Sequence, residues 1–452
     1  MSADRGEETS EARPGTEGRG ATKGVSGGKT FASLQHYNYR LFFLGGLASN
    51  VGTWMGRVAQ DWLVLTQLTN HDATALGIVT ALQFAPVVLL APLAGAVADR
   101  FAKRRILIGT QVGLAVTSLL LAVLVIGGWA VLWQVYVIAL LQGAVTALDN
   151  PARQAFVSEM VPPERLSNAV GLNATSFNSA RLIGPGIAGL LIAAIGTGWT
   201  LVFNTVSFAA VVLALTAMRV HELTPAPRAK GRGGVREGLA YVRRRPDIQL
   251  IMVIVFMLGT FGMNFQITIA LMATTVYGKG AEQYGALGSV MAVGSLAAAL
   301  MAARRARPRL RVLLAALAGF TISALAAAIA PSYLTFAIAL VPCGLFAITA
   351  LNTANATVQL SVSPEMRGRV MALYMAIFMG GTPIGAPVVG WIGGTFGARW
   401  TIGIGAIAVG IAVVGAMVYL MRINEVEVHI ERSPRPHLEV SAHTRELVGA
   451  PQ

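Results

Sequence analysis

Three charged residues, Arg57, Asp61 and Arg181, stand inside long apolar stretches of the sequence. A charge at the centre of a bilayer costs about 2.5 to 3.5 kcal/mol on insertion scales, so residues of this kind face a cavity or a partner. Arg57 and Asp61 are four residues apart and share a helix face, close enough for an ion pair. A carboxylate such as Asp61 can take up a proton in one environment and release it in another, with Arg57 or Arg181 setting its affinity by proximity. A static pair, or a position near the outer interface, is the alternative. Asn352, Asn355 and Gln359 also share one helical face, and Gln83, Asn264 and Gln266 add further amides within apolar runs. These six can line a cavity and hydrogen-bond a bound molecule, or bond one helix to another. The second half carries no ionisable residue in its apolar runs, which favours an apolar or amphipathic ligand over a strongly charged one.

The elements that position these residues follow from length. Of 452 residues, 54% are hydrophobic and only 12% charged, and mean hydropathy is +0.62, the composition of a membrane protein. A helix needs roughly 20 apolar residues to cross a bilayer once. Val312 to Pro364 holds no charge and must cross twice, turning at Ala330-Pro331-Ser332. Ile106 to Leu148 divides likewise at Gly127-Gly128, and Ser167 to Met218 at Gly196-Thr197-Gly198. Single runs near 41–65, 73–98, 248–277, 283–303, 370–396 and 400–421 bring the expected total to twelve.

Lys and Arg follow every even-numbered span: Arg100 to Arg105, Arg153 and Arg165, Arg219 to Arg245, Arg304 to Arg311, Arg367 and Arg369. The alternate loops carry only Lys279 and Arg399, so both termini are expected on the cytoplasmic side. A shift of 201 residues superposes Pro163-Glu164 on Pro364-Glu365, Leu172 on Leu373, and Gly184, Gly189 and Gly196 on Gly385, Gly390 and Gly397. The reading is therefore an all-α integral membrane protein of two six-helix pseudo-repeats. Its expected parts are a disordered tail (1–30), a first half (31–218), a cytoplasmic linker with a possible amphipathic helix Val235 to Arg244 (219–247), a second half (248–421) and a second tail (422–452).

Other chemistries find no footing. The formal charge of +14 comes from basic loops between apolar runs, so topology accounts for it without nucleic acid. Cys343 is the sole cysteine, and the histidines (His36, His71, His221, His429, His437, His443) are scattered over tails and loops, so no disulfide, metal site or catalytic triad is expected. Gly28-Lys29-Thr30 imitates a phosphate loop, but the preceding glycine is one place off the required spacing. Residues 1–30 lack the apolar core of a signal peptide. No cofactor and no enzymatic activity are expected.

Gly95-Ala-Val-Ala-Asp99-Arg100-Phe-Ala102-Lys103-Arg104-Arg105 resembles the signature loop of the major facilitator superfamily, with Ala102 where that loop usually has glycine. A carboxylate at a helix end can receive N–H groups from a neighbouring helix N-terminus while nearby arginines pair with it. The resemblance implies that Asp99 forms such a breakable latch against the start of span 11, although Lys103, Arg104 and Arg105 also suit plain positive-inside topology. Gly171, Ala180, Gly184-Pro185, Ala188 and Gly189 are similar to the antiporter motif of drug-exporting major facilitators, with alanine for glycine at 180 and 188. Small residues permit close helix approach and Pro185 bends the helix, in a gate or in plain packing. An arginine linked to proton transfer in that family is replaced by Ala139 ahead of Gln142-Gly143, so proton coupling needs another arrangement.

Trp54 to Trp62, Asp149-Asn150-Pro151-Ala152-Arg153 and Arg181 look like the drug:proton antiporter branch that holds siderophore and macrolide exporters, a resemblance spanning about residues 31–421. It implies a secondary active exporter of small apolar or amphipathic molecules in the cell membrane, with protons and lipid as its other partners and a monomer as the expected state. An importer or facilitator of a polar solute on the same fold is the rival reading, since fold does not fix direction. A membrane receptor would call for a large soluble domain or extended outer loop, and neither is seen.

Overall fold

The computed structural model describes residues 31–224, 235–303 and 308–423, with short segments at 427–430 and 438–441. The expected first tail, most of the second, residues 225–234 of the linker and basic residues 304–307 lie outside the described residues.

Fifteen α-helices follow one another. The first half comprises α1 (Tyr37–Trp62), α2 (Ala73–Leu89), α3 (Ala91–Arg100), α4 (Lys103–Ile126), α5 (Leu132–Met160), α6 (Pro163–Ile195) and α7 (Thr197–Thr216). A linker helix, α8 (Val235–Arg243), leads to α9 (Pro246–Met257), α10 (Phe265–Leu271), α11 (Ala281–Ala303), α12 (Leu310–Ala328), α13 (Tyr333–Ser361), α14 (Pro364–Phe396) and α15 (Arg399–Ile423). The amphipathic helix expected at 235–244 is therefore present as α8. Glu427–Ile430 and Leu438–Ser441 pair as a short antiparallel ladder in the second tail.

Ten helical spans are long and apolar enough to cross a membrane, α9 and α10 counting as one, and the bent pair α2/α3 makes eleven. The twelfth is α1, whose 26 residues reach about 39 Å at 1.5 Å per residue but whose apolarity is diluted by Arg57, Gln60 and Asp61. It tolerates them because it is the central helix of its half, packed between α6 and α7.

The 201-residue repeat is carried by helix boundaries. Leu132–Met160 and Tyr333–Ser361 both have 29 residues, and Pro163–Ile195 and Pro364–Phe396 both have 33. Each member of the longer pair starts with proline in its first turn, where the missing N–H costs nothing. Each ends at a glycine with positive φ, Gly196 at +85° and Gly397 at +98°. Several helices overrun the apolar stretches that announce them: α5 continues to Met160, twelve residues past the expected end at Leu148.

Two breaks shape the interior. Span 2 bends by 54° at Leu90, between Pro86 within α2 and Pro92 at the start of α3. Span 7 runs through π-helical turns (Leu258–Gly262 and Met272–Val276) and loses its helix at Met263 and Asn264, where the Asn264 side chain donates to the Thr260 carbonyl at 2.6 Å. Irregular backbone at membrane depth is tolerated where it lines a cavity, which is its position here.

Candidate functional site

A cavity of about 540 Å³ lies between the halves. From the first half α1 presents Asn50, Trp54, Arg57 and Gln60, α2 Gln83 and Phe84, α5 Gln142, Asp149 and Arg153, and α6 Arg181. The opposing wall is mainly apolar, with Met263, Phe265, Ile267, Met291 and Phe378, relieved by Asn264, Gln266 and Tyr284. Of the six amides named from the sequence, Gln83, Asn264 and Gln266 line this cavity. Asn352, Asn355 and Gln359 do not: Asn352 and Gln359 are exposed, and Gln359 donates to Asn355 at 2.7 Å along their own helix. Their common face exists, but α13 is rotated so that it misses the cavity.

The expected Arg57–Asp61 ion pair is absent among the described residues. Long side chains on a helix lean towards its N-terminus. The guanidinium of Arg57 accordingly sits over Trp54, 5.2 Å from the ring centroid, and over Phe84 at 5.3 Å. Arg181 reaches the same Trp54 ring at 5.8 Å. Neither arginine has a carboxylate within ion-pair distance among the described residues. Cation–π contact contributes about 0.5 to 2 kcal/mol, which falls short of the roughly 2.5 to 3.5 kcal/mol that a buried charge costs on insertion scales. Both guanidinium groups thus line the cavity without a carboxylate in direct contact among the described residues.

Asp61 is buried behind the cavity wall, 2% exposed, and its Oδ2 accepts from the Tyr284 hydroxyl of α11 at 3.1 Å. This bond spans the two halves. Trp62 stacks on the Tyr284 ring at 6.2 Å, so the contact has an apolar side as well. Nothing in the sequence marks Tyr284, one turn into span 8, as the partner of a residue 223 positions earlier.

A second buried carboxylate, Asp149, lies one residue beyond the apolar run that ends at Leu148, so its burial was not legible although its segment carries part of the family resemblance. Asp149 accepts from Thr110 at 2.6 Å, from Gln111 at 2.9 Å and from Arg153 Nε at 2.8 Å. Ser49 of α1 joins through Gln111 at 3.3 Å. Arg153, expected in a cytoplasmic loop, is instead a cavity residue. Its spacing of four from Asp149 is the same signal that drew attention to Arg57 and Asp61.

Among the described residues the halves pack closely at one end. There α2 packs on α14 and α6 on α11, through glycines that bring backbones together: a Cβ on Gly390 would strike the Ala73 carbonyl, and one on Gly189 the Ala281 carbonyl. At the other end the motif glycines Gly95 and Gly171, and Gly368 of α14, face open space. The antiporter-type motif divides between these duties. Gly184 packs on Trp54 and Val51 within the half, Pro185 and Gly189 form the seam to α11, and Ala180 and Ala188 are fully buried.

The signature loop lies at the parted end. Asp99 is exposed and makes no hydrogen bond or ion pair among the described residues, because the bend in span 2 lays α3 against α5 rather than α14. The implied latch to span 11 is unmade in this conformation. Lys103 pairs with Glu159 of α5 at 2.9 Å, and Arg104 caps α7 through the Leu215 carbonyl at 2.7 Å. Arg100 stacks on the neighbouring Phe101, and Arg105 has no ion pair among the described residues. The first turns of α14 are held by the linker instead, through the Arg369–Glu237 ion pair.

A sequence profile of the transmembrane secretion effector family of major facilitators matches residues 28–448. The staphyloferrin A transporter of Staphylococcus aureus is 25% identical over 81% of this chain and 92% of its own length. The macrolide efflux protein A of Streptococcus pyogenes is 22% identical over 86% of this chain and 98% of its own. The multidrug efflux pump Tap of Mycolicibacterium fortuitum is 28% identical over 47% of this chain and 54% of its own. Among solved structures the fold is shared with the nucleoside transporter NupG, at TM-score 0.66 and 13% identity over 84% of this chain and 99% of that one. A bacterial homologue of the lysosomal transporter Spinster, inward-facing and unoccupied, gives TM-score 0.62 and 16% identity over 85% of this chain and 94% of its own. The chain belongs to the transmembrane secretion effector family of the major facilitator superfamily and is a multi-pass membrane transporter.

Proposed function

We propose that this transporter exports small amphipathic molecules by proton antiport across a bacterial cell membrane, with both termini cytoplasmic. The observation that carries the reading is the Asp61–Tyr284 bond: a buried carboxylate at the closed end of a central cavity, bonded across the two halves. The basic loops Arg100 to Arg105 and Arg367 to Arg369 stand at the parted end, which supports a cytoplasmic place for that end by the positive-inside rule. A molecule then enters the cavity from the cytoplasm or inner leaflet. Protonation of Asp61 weakens its acceptor strength towards Tyr284 and loosens the outer seal, and deprotonation after reclosure restores it. Alternating access follows from the halves rocking about the cavity, with the Asp99 latch forming when the cytoplasmic ends meet. The efflux relatives support the direction of transport and the apolar wall supports an amphipathic cargo.

Efflux of a fluorescent amphipathic dye from cells tests this, with and without a protonophore, for wild type, Asp61→Asn and Asp99→Asn. The expected result is protonophore-sensitive efflux that both substitutions abolish. If Asp61→Asn still answers a proton gradient like wild type, Asp61 is not the coupling residue.

A further inference from the structure

We infer that the cavity selects organic anions: its first-half wall is a receptor for a carboxylate or similar planar oxyanion, held between Arg57 and Arg181. The inference rests on the proposed export reading and narrows its cargo. The lack of ionisable residues in the second-half runs favours an apolar or amphipathic molecule over a strongly charged one, whereas the charges of the first-half wall come together only once the helices are packed.

Three arginines reach the cavity, Arg57, Arg153 and Arg181, and among the described residues only Arg153 forms an ion pair, with Asp149; Arg57 feels the Asp61 charge from beyond ion-pair distance, and Arg181 has no carboxylate within ion-pair distance. Arg57 and Arg181 both lie over the Trp54 ring, a surface that fixes a guanidinium without occupying its N–H donors. Trp54 is itself braced edge-on by Phe177 at 6.0 Å. The nearest acidic candidate on α1, Asp61, is engaged by Tyr284 and lies outside the cavity lining.

One further donor stands beside them. Gln60 stands three residues from Arg57 on the same face of α1, is 2% exposed, and its Nε2 is buried with no partner. Gln83 donates to Gln60 Oε1 at 3.1 Å, which fixes the amide with its NH2 turned away from that bond. A planar oxyanion meets a guanidinium fork in two parallel hydrogen bonds strengthened by opposite charge, an assistance that a neutral ligand lacks. Across the cavity the break in span 7 offers the reverse chemistry: Asn264 lines the cavity and its Oδ1 is buried without a partner among the described residues. The cargo that satisfies both walls has an anionic head towards Arg57 and Arg181, an apolar body beside Phe84 and Phe265, and a hydroxyl or amide N–H towards Asn264.

The test uses one apolar body carrying three charges: pyrenebutyrate, its uncharged methyl ester and a pyrenyl alkylammonium. Binding to the full-length protein in nanodiscs is read by energy transfer from tryptophan to pyrene. Pyrenebutyrate is expected to bind at least about tenfold more tightly than either analogue. Arg57→Gln and Arg181→Gln should each remove that preference while leaving ester binding in place, and Arg181→Lys should keep part of it, since it retains charge without the fork. Ester binding also reports that a variant is folded; if a glutamine variant loses it, the lysine variant decides.

Equal binding of the three probes, tightest binding of the ammonium, or a preference that survives both substitutions overturns the inference. Movement of the same probes in inside-out vesicles under an imposed pH gradient separates it from the export reading. Selective binding without gradient-driven movement refutes proton-driven export and leaves the anion site standing. Gradient-driven movement of ester and anion alike refutes anion selectivity and leaves export standing.

Discussion

At the scale of single residues, the two buried carboxylates behave oppositely, and substitution should separate them. Asp149 is saturated by Thr110, Gln111 and Arg153, an arrangement that holds α1, α4 and α5 together. Removing its charge leaves a partly buried cation and the Gln111 amide without its acceptor, whereas Thr110 keeps the Leu107 carbonyl; losses of about 3 to 5 kcal/mol are typical when the pair is fully buried. Arg153 keeps 23% side-chain exposure, so Asp149→Leu is expected near the lower end of that range, read as a lower denaturation midpoint in detergent. Asp149→Leu with Arg153→Leu should recover part of it; a single variant as stable as wild type would refute the structural role. Asp61, by contrast, has one partner across a moving boundary. Tyr284→Phe keeps the stack on Trp62 and deletes only the hydroxyl, worth about 1.5 to 3 kcal/mol for a bond to a charged group. The expected outcome is a shift towards the state open at the other end, seen as faster labelling of Thr382→Cys in the cavity by an impermeant maleimide from the sealed face. The native Cys343 is fully buried and silent in this assay. Unchanged labelling would mean that the bond does not help to seal the gate. Sequence identified Asp61 and Arg57 as special because charge inside an apolar run is conspicuous. It could not give their partners, since a spacing of four fixes a shared face but not which neighbour each side chain leans towards.

At the scale of elements, small residues decide where helices touch. A Cβ on Gly285 would meet the Pro185 carbonyl and come within 3.0 Å of Gly189 backbone, and backbone cannot step aside as a flexible side chain does. Gly285→Val should therefore force α11 from α6 and open the sealed end, at an overpacking cost of about 1 to 3 kcal/mol. Gly415→Val, where nothing lies within 4 Å, is the matched control and should label as wild type. If Gly285→Val labels like Gly415→Val, the α6–α11 seam is not the gate. The helix boundaries were largely legible, because prolines that open α6 and α14 and glycines that close them are punctuation with a physical cause. Helix ends beyond the hydrocarbon were not, since charge terminates an apolar run without terminating a helix; that is why α5 outran its expected end and carried Asp149 and Arg153 into the cavity. Rotation about a helix axis was equally hidden. The polar face of Asn352, Asn355 and Gln359 was found correctly, but only packing against α11 and α12 decides where it points.

At the scale of the whole molecule, the two-fold repeat supplies two seams, α2 with α14 and α6 with α11, that must open together if the halves rock as rigid units. The sequence carried this symmetry in its 201-residue offset, whereas the choice of which end is closed belongs to the conformation and has no signature in composition. A covalent staple across the first seam tests whether opening is obligatory. A Cβ built on Gly394 of α14 lies 3.5 Å from Thr74 Oγ1 of α2, the atom that a cysteine sulfur at position 74 would replace, which brings the two side chains within reach of one another. The pair Thr74→Cys and Gly394→Cys should therefore cross-link under mild oxidation with Cys343 too buried to interfere. Oxidised protein is expected to bind its cargo normally, since the cavity stays open at the other end, yet to move none of it across vesicle membranes until a reductant is added. Transport at the wild-type rate in the oxidised state would show that the sealed end does not part during the cycle, and a rigid rocking of two halves would have to be abandoned. Loss of both binding and transport would point instead to a cavity that the staple has distorted. Only the combination of intact binding, arrested transport and recovery on reduction ties the glycine-lined seam to the moving step.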